Sequence, residues 1–65
     1  MTYLELLSWA RKGLAAEKAK WREMQGKAIE GGAKTLVDGA QEKIEEIEEK
    51  ESTLDELEEI HNRRY

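Results

Sequence analysis

The Gly31-Gly32 pair constrains the fold most, because it separates two long segments of helical periodicity in a chain without proline. Glycine supplies the left-handed residue that ends many helices. A short connection between two long helices places them side by side and antiparallel. The first segment carries four apolar residues spaced seven apart, namely Leu7, Leu14, Trp21 and Ala28. We therefore predict an all-α fold based on an antiparallel helical hairpin with coiled-coil-like packing.

The first helix is predicted over residues 3–30. Thr2 is a suitable N-cap, and Glu5, three residues later, completes a capping box. Gly26 is an alternative end for this helix, but Ile29 continues its apolar side and favours the end at Gly31-Gly32. Steps of four and three residues predict an inward-facing stripe in which only Glu17 is polar: Tyr3, Leu7, Ala10, Leu14, Glu17, Trp21, Met24 and Ala28.

The sequence around the glycine pair is compatible with two structures. In the first, Gly31-Gly32 connects two helices. In the second, it is a two-residue hairpin turn that joins residues 28–30 to residues 33–37 in a short β-ribbon between the helices. The helical spacing of the residues that follow favours the first reading, and a second helix is predicted over residues 33–51.

The apolar pattern changes after residue 51. Leu54 and Leu57 follow Ile44 and Ile47 by ten residues instead of the seven of a heptad, and Glu51 occupies the position where a core residue is expected. Ser52 and Thr53 each begin a capping-box pattern. We predict that the chain breaks here and forms a short third helix over residues 54–62. The alternative is one continuous, bent helix.

A chain of 65 residues makes a single domain, residues 1–65, which buries only about 60% of the surface of its unfolded form. Without cysteine it has no disulfides, so dense packing or association must stabilise it. Several apolar residues lie off the predicted stripe. Either the third helix covers them or another subunit does. We predict a homo-oligomer, with a dimer favoured, and a candidate interaction patch formed by Leu4, Leu6, Trp9, Leu54, Leu57 and Ile60.

Charge is unevenly distributed along the chain. Residues 1–34 contain seven Lys/Arg and four acids, whereas residues 35–65 contain four and eleven. In a hairpin the basic first helix flanks the acidic second helix, so most of these charges are expected to complement one another or to face solvent. The net charge of −4 argues against nucleic-acid binding. Alternatively, the acids between Glu42 and Glu59 imitate a nucleic acid and bind a basic protein.

The residues needed for catalysis are scarce. The chain has one histidine and no cysteine, and neither Ser8 nor Ser52 has a neighbouring histidine to activate it. Glu58 and His61 have the spacing of a helical metal-ligand pair, but glutamate is so frequent here that chance explains the match. We predict no enzyme activity, no cofactor and no metal, and we expect His61 to lie near a helix C-terminus.

The N-terminal segment lacks a basic leader, and no apolar run approaches the ~18 residues of a membrane span. We therefore expect a cytoplasmic protein that does not bind membranes. The function predicted from the sequence is protein–protein interaction, as a self-associating structural or accessory module with a possible further protein partner. The alternative is an acidic helical inhibitor that mimics nucleic acid to block a basic partner protein.

Overall fold

The computed structural model describes residues 1–64, which form two long helices. Helix α1 spans Tyr3–Glu30 and helix α2 spans Lys34–Arg64. The two helices pack against each other as an antiparallel hairpin. The predicted all-α hairpin is confirmed.

Helix α1 begins where the sequence predicts. Thr2 has an extended backbone, with φ −80° and ψ 165°, and its hydroxyl oxygen accepts a hydrogen bond of 3.1 Å from the amide of Glu5. The carbonyl of Thr2 accepts the first helical bond, 3.0 Å from the amide of Leu6. One of the otherwise unpaired amides of the first turn is thereby satisfied by the cap.

Helix α1 ends at the glycine pair in a Schellman motif. Gly32 has a φ of +71°, its amide donates to the carbonyl of Ile29 at 3.1 Å, and the amide of Ala33 donates to the carbonyl of Ala28 at 2.9 Å. This turn leads directly into α2, so the glycines connect two helices. The alternative of a β-ribbon over residues 28–37 is wrong, because the backbone on both sides of Gly31-Gly32 is helical.

The predicted third helix over residues 54–62 is wrong, because α2 continues through Ser52 and Thr53 without a break. The hydroxyl of Thr53 donates to the carbonyl of Glu49 at 3.2 Å, as threonine does inside a helix. The heptad also continues. Its inward positions beyond Ile47 are Glu51, Leu54, Glu58 and His61, each half-buried. A carboxylate at a core position does not end this helix, because α1 supplies it with a cation.

The predicted inward stripe of α1 is half correct. Leu7 and Ala28 are buried and Leu14 and Trp21 are half-buried, but the other four residues are exposed, namely Tyr3, Ala10, Glu17 and Met24. The neighbouring residues Arg11, Lys18 and Gln25 lie against α2 instead. The polar row was missed because the prediction assumed that inward positions are apolar.

The hairpin is one layer thick. Its Cα atoms extend over 50 × 18 × 10 Å, and 10 Å is about the diameter of one helix. Each helix therefore touches one other helix and leaves most of its circumference uncovered. Among residues 1–64, the buried core contains five side chains, Leu7, Ala28, Ala40, Ile44 and Ile47.

Candidate protein-interaction face

Two rows of side chains line the contact between the helices, and the two rows differ in chemistry. One row is mainly apolar and consists of Leu7, Leu14, Trp21 and Ala28 from α1 with Ala40, Ile47, Leu54 and His61 from α2. The other row is mainly polar on α1 and mixed on α2, and consists of Arg11, Lys18 and Gln25 with Val37, Ile44, Glu51 and Glu58. Helical geometry places each row toward a different side of the hairpin. We call the side of the first row the apolar face and the side of the second row the charged face.

The charged face is closed by contacts between the helices. Arg11 binds Asp55 at 2.8 Å and both carboxylate oxygens of Glu58 at 3.1 and 3.2 Å. Lys18 binds Glu51 at 2.6 Å, with both side chains largely covered. The amide of the Gln25 side chain donates to Gln41 at 3.0 Å. These contacts give the polar side chains of the row partners within one chain.

The ion pair of Arg11 and Glu58 changes the proton affinity of both groups. The hydrogen bonds from Arg11, and then its positive charge, hold the pKa of Glu58 below the ordinary value of a glutamate. The hydrogen bond to Glu58 raises the pKa of Arg11 in turn. Both groups are ionised at neutral pH, and the pair belongs to the scaffold of the hairpin.

The apolar face carries a groove that runs along much of the hairpin. At the turn the groove has a volume of about 590 Å³ and is lined by Trp21, Met24, Leu36 and Gly39, among others. It continues past Gly13, and between the helices it is lined by Ala10, Leu14 and Leu54. At the open end of the hairpin Tyr3, Leu57 and Ile60 line a further depression.

Large apolar side chains remain exposed along this groove. Met24 is 53% exposed, Leu36 is 66% exposed and Ile60 is 47% exposed. Small residues, such as Gly13 and Gly39, alternate with them and leave the backbone accessible. A surface of this kind, extended and apolar, is typical of a site that binds another protein.

The structure divides the interaction patch predicted from the sequence. Leu6, Leu54, Leu57 and Ile60 lie on the apolar face. Leu4 lies on the charged face, in the row of Arg11, and Trp9 lies on the outer side of α1, where the Lys12 amine is 5.4 Å from the centre of its ring. The six predicted residues therefore do not form one surface.

Sequence reasoning missed the part of the face next to the turn. Met24 was assigned to the hairpin interior, but the structure leaves it exposed along the groove, which Trp21 and Leu36 also line. A signal was present in Gly39, whose missing side chain leaves this part of the groove open. The assignment also depended on the predicted stripe of α1. Every second residue of that stripe is one position before the residue that faces α2 in the structure.

A second surface is acidic. Five glutamates of α2 line an open depression on its outer side: Glu42, Glu45, Glu46, Glu48 and Glu49. Near the end of the helix the carboxylates of Glu51, Asp55 and Glu58 are instead bound to α1. The acidic surface is therefore shorter than the stretch from Glu42 to Glu59 considered from the sequence.

The pair Glu58 and His61 has partners inside the chain. Glu58 binds Arg11, and the ring of His61 lies 4.8 Å from the ring of Tyr3, tilted by 32°. Within residues 1–64, no three His, Cys, Asp or Glu side chains are grouped closely enough to hold a metal ion. In the same part of the chain, neither helix contains an apolar segment long enough to cross a membrane.

Comparison of the chain with protein-family models, with curated proteins and with solved structures finds no match.

Proposed function

We propose that this chain is a protein-interaction module that self-associates through its apolar face. The observation that carries the proposal is the difference between the two faces. The charged face is completed by ion pairs inside the chain, whereas the apolar face keeps an open groove with exposed leucine, isoleucine and methionine side chains. We assign no catalytic role to any residue.

The small core supports the proposal. A hairpin one helix thick with five buried side chains has little to offset the conformational entropy lost on folding. Burial of one leucine or isoleucine side chain contributes about 1.5–3 kcal/mol. Leu57, Ile60 and Leu36 are 39%, 47% and 66% exposed, so a second layer over them contributes roughly half of that for each side chain, about 2–5 kcal/mol in total. This is a substantial part of the stability of a small domain.

Two leucines on the first two turns of α1 provide a matched test. Leu6 lies on the apolar face and is 56% exposed, and Leu4 lies on the charged face and is 42% exposed. We expect Leu6→Glu to weaken association strongly in sedimentation equilibrium, because it places a carboxylate in the interface. Leu4→Glu should leave association close to wild type, because that residue lies on the same side of α1 as Arg11 and away from the groove.

Two results would contradict the proposal. One is a wild-type chain that sediments as a monomer over a wide range of concentrations. The other is an equal loss of association in both variants. Circular dichroism of each variant shows whether the helices persist, so that a general loss of folding is distinguished from a loss of the interface.

A second candidate function is supported by the five glutamates on the outer side of α2. We infer that, in this alternative, they bind a basic protein in place of a nucleic acid, so association should weaken steeply with salt. Competition between this chain and DNA for a basic DNA-binding protein tests it. Replacing Glu42, Glu45 and Glu49 by Gln should abolish the competition, whereas Glu5→Gln on α1 should not.

A further inference from the structure

We infer that the apolar face binds a second copy of this chain with α1 of each copy along α2 of the other and with both Gly31-Gly32 turns at the same end. The inference rests on the proposed self-association and adds the orientation of the partner. The product is a four-helix bundle whose two-fold axis runs parallel to the helices. In this arrangement every helix lies beside antiparallel neighbours.

Contacts between the helices show which residues of α1 and α2 lie at the same height. Arg11 binds Asp55 at 2.8 Å and the Gln25 side chain binds that of Gln41 at 3.0 Å, so a step of fourteen residues forward along α1 corresponds to a step of fourteen backward along α2. A two-fold axis parallel to the helices keeps each residue at its own height. Each residue of α1 on the apolar face therefore meets residues of the second copy's α2 at the same height.

The contacts that follow from this rule are complementary in size and charge. Near the open end a leucine meets an isoleucine, and further along a glycine meets a threonine. In the middle of the bundle two pairs of opposite charges meet. In order along α1, the pairs between copies are Leu6 with Ile60, Gly13 with Thr53, Glu17 with Lys50 and Lys20 with Glu46.

The charges in the middle of the face are available for such pairing. Among residues 1–64, neither Glu17 nor Lys50 forms an ion pair within its own chain. Both side chains are exposed and both border the groove, Glu17 beside Trp21 and Lys50 beside Leu54. A second copy gives each of them a partner of opposite charge.

The other two-fold arrangement of two hairpins brings like charges together. If the axis is perpendicular to the helices, the turns lie at opposite ends of the dimer. Helix α1 then lies along α1 of the second chain, and α2 lies along α2 of the second chain. Glu17 is near the middle of α1 and Lys50 is near the middle of α2. An axis through the centre therefore places Glu17 near the Glu17 of the other copy and Lys50 near the other Lys50, which is unfavourable.

Charge reversal distinguishes the two arrangements. In the inferred dimer, Glu17→Lys or Lys50→Glu alone creates like-charge contacts twice per dimer, and we expect the dissociation constant to rise roughly 10-fold at low salt. The double variant Glu17→Lys with Lys50→Glu restores opposite charges, so its dissociation constant should be close to that of the wild type. In the perpendicular arrangement like charges face each other in the wild type, in both single variants and in the double variant. Affinity is then neither lost in the single variants nor recovered in the double variant.

Distances between labels provide a second measurement. The chain has no cysteine, so Lys34→Cys next to the turn, or Asn62→Cys near the other end, introduces one site for a spin label on the charged face. With both turns at the same end, two labels at position 34 should be about 20–35 Å apart, the width of a four-helix bundle with its labels. Two labels at position 62 should give a similar distance.

The outcomes separate this inference from the proposal on which it rests. A dimer whose labels at position 34 are separated by nearly the 50 Å length of the hairpin overturns the inferred orientation and leaves self-association intact. The same conclusion follows if the double charge reversal fails to recover. A chain that remains a monomer overturns both. Short distances at both positions, together with recovery in the double variant, support the inferred bundle.

Discussion

Arg11 connects the N-terminal part of α1 to the end of α2 through Asp55 and Glu58. Because Arg11 lowers the pKa of Glu58, the folded state holds this proton less tightly than the unfolded chain. The pair therefore stabilises the fold fully at neutral pH. Its contribution is lost as the pH falls through the lowered pKa of Glu58.

The first prediction concerns this pH dependence. Glu58→Gln should be less stable than wild type at neutral pH, and the difference should shrink in acid, where the wild-type carboxylate is protonated as well. Urea unfolding at a series of pH values measures both. Glu56→Gln removes an exposed carboxylate of the same helix and serves as the control. Equal pH dependence in wild type and Glu58→Gln would show that the ion pair does not contribute.

Among the ion pairs of residues 1–64, the pair of Lys18 and Glu51 is the least exposed. Its two side chains are 19% and 28% exposed. Glu51→Ala should lower the free energy of unfolding by about 1–3 kcal/mol, because it leaves the Lys18 ammonium covered and unpaired. The double change Lys18→Met with Glu51→Leu should be neutral or stabilising. Chemical denaturation checks the order of the three proteins, and a double variant less stable than Glu51→Ala would contradict it.

At the scale of the element, the ends of the helices could be predicted and the continuity of α2 could not. Thr2 and Gly31-Gly32 act locally through hydrogen bonds to their own neighbours, so their effect is visible in a short stretch of sequence. The behaviour of Ser52 and Thr53 depends on α1. Glu51 and Glu58 bind cations of α1, so α2 continues past both carboxylates. Ser52 and Thr53 therefore lie inside a helix and do not cap one.

Ser52→Ala with Thr53→Ala tests the continuity of α2. In an unbroken helix the double change should be neutral or stabilising, by about 0.5–1 kcal/mol, because alanine is the better helix former. At the start of a separate helix it would cost about 0.5–2 kcal/mol through the lost cap. Thermal unfolding gives the sign, and a clear loss of stability would indicate a helix start at this position.

The turn provides a matched pair of glycine substitutions. Gly32→Ala should destabilise the chain by about 1–2 kcal/mol, because alanine is strained at a φ of +71°. Gly26→Ala should stabilise it by up to about 1 kcal/mol, because Gly26 lies inside α1 and, apart from the adjoining residues and helical backbone, nothing lies within 4 Å of the added methyl group. Opposite signs in chemical denaturation are expected. Equal effects of the two changes would be inconsistent with this turn.

At the scale of the whole molecule, the candidate site could be predicted only in part. The spacing of Leu7, Leu14 and Trp21 was enough to find one contact row and the hairpin. The other row contains Arg11 and Lys18, whose long side chains pack their methylene groups at the contact while their charges reach carboxylates. Hydrophobic periodicity does not detect such a row. Without the position of this row, the remaining apolar residues could not be assigned to one face of the hairpin or the other.

A stronger signal was present in the pairing of the two helices. Basic residues spaced seven apart on α1, Arg11 and Lys18, match acidic residues spaced seven apart on α2, Glu51 and Glu58. Aligning these charges in antiparallel order gives the register of the hairpin and separates the apolar face from the charged face. Charge complementarity between helices therefore carries information about the site that the apolar pattern of each helix lacks.

The last prediction distinguishes the stability that comes from packing inside one hairpin from the stability that comes from association of two chains. Ile47 is 4% exposed inside the hairpin, whereas Leu57 is 39% exposed on the apolar face. Ile47→Ala should lower the unfolding midpoint at every protein concentration, by about 2–5 kcal/mol in free energy, because it leaves a cavity between the helices. Leu57→Ala should act mainly through association, so its deficit should be large only where the wild-type chain is dimeric.

Thermal unfolding over a 100-fold range of concentration measures this difference. For an associating protein the wild-type midpoint rises with concentration. The midpoint of Leu57→Ala should rise less, and the two curves should converge on dilution, whereas Ile47→Ala should stay below wild type throughout. If the midpoint of the wild-type chain did not change with concentration, then Leu57 and the rest of the apolar face would not be covered by a second copy, and the stability of the molecule would come from the single hairpin alone.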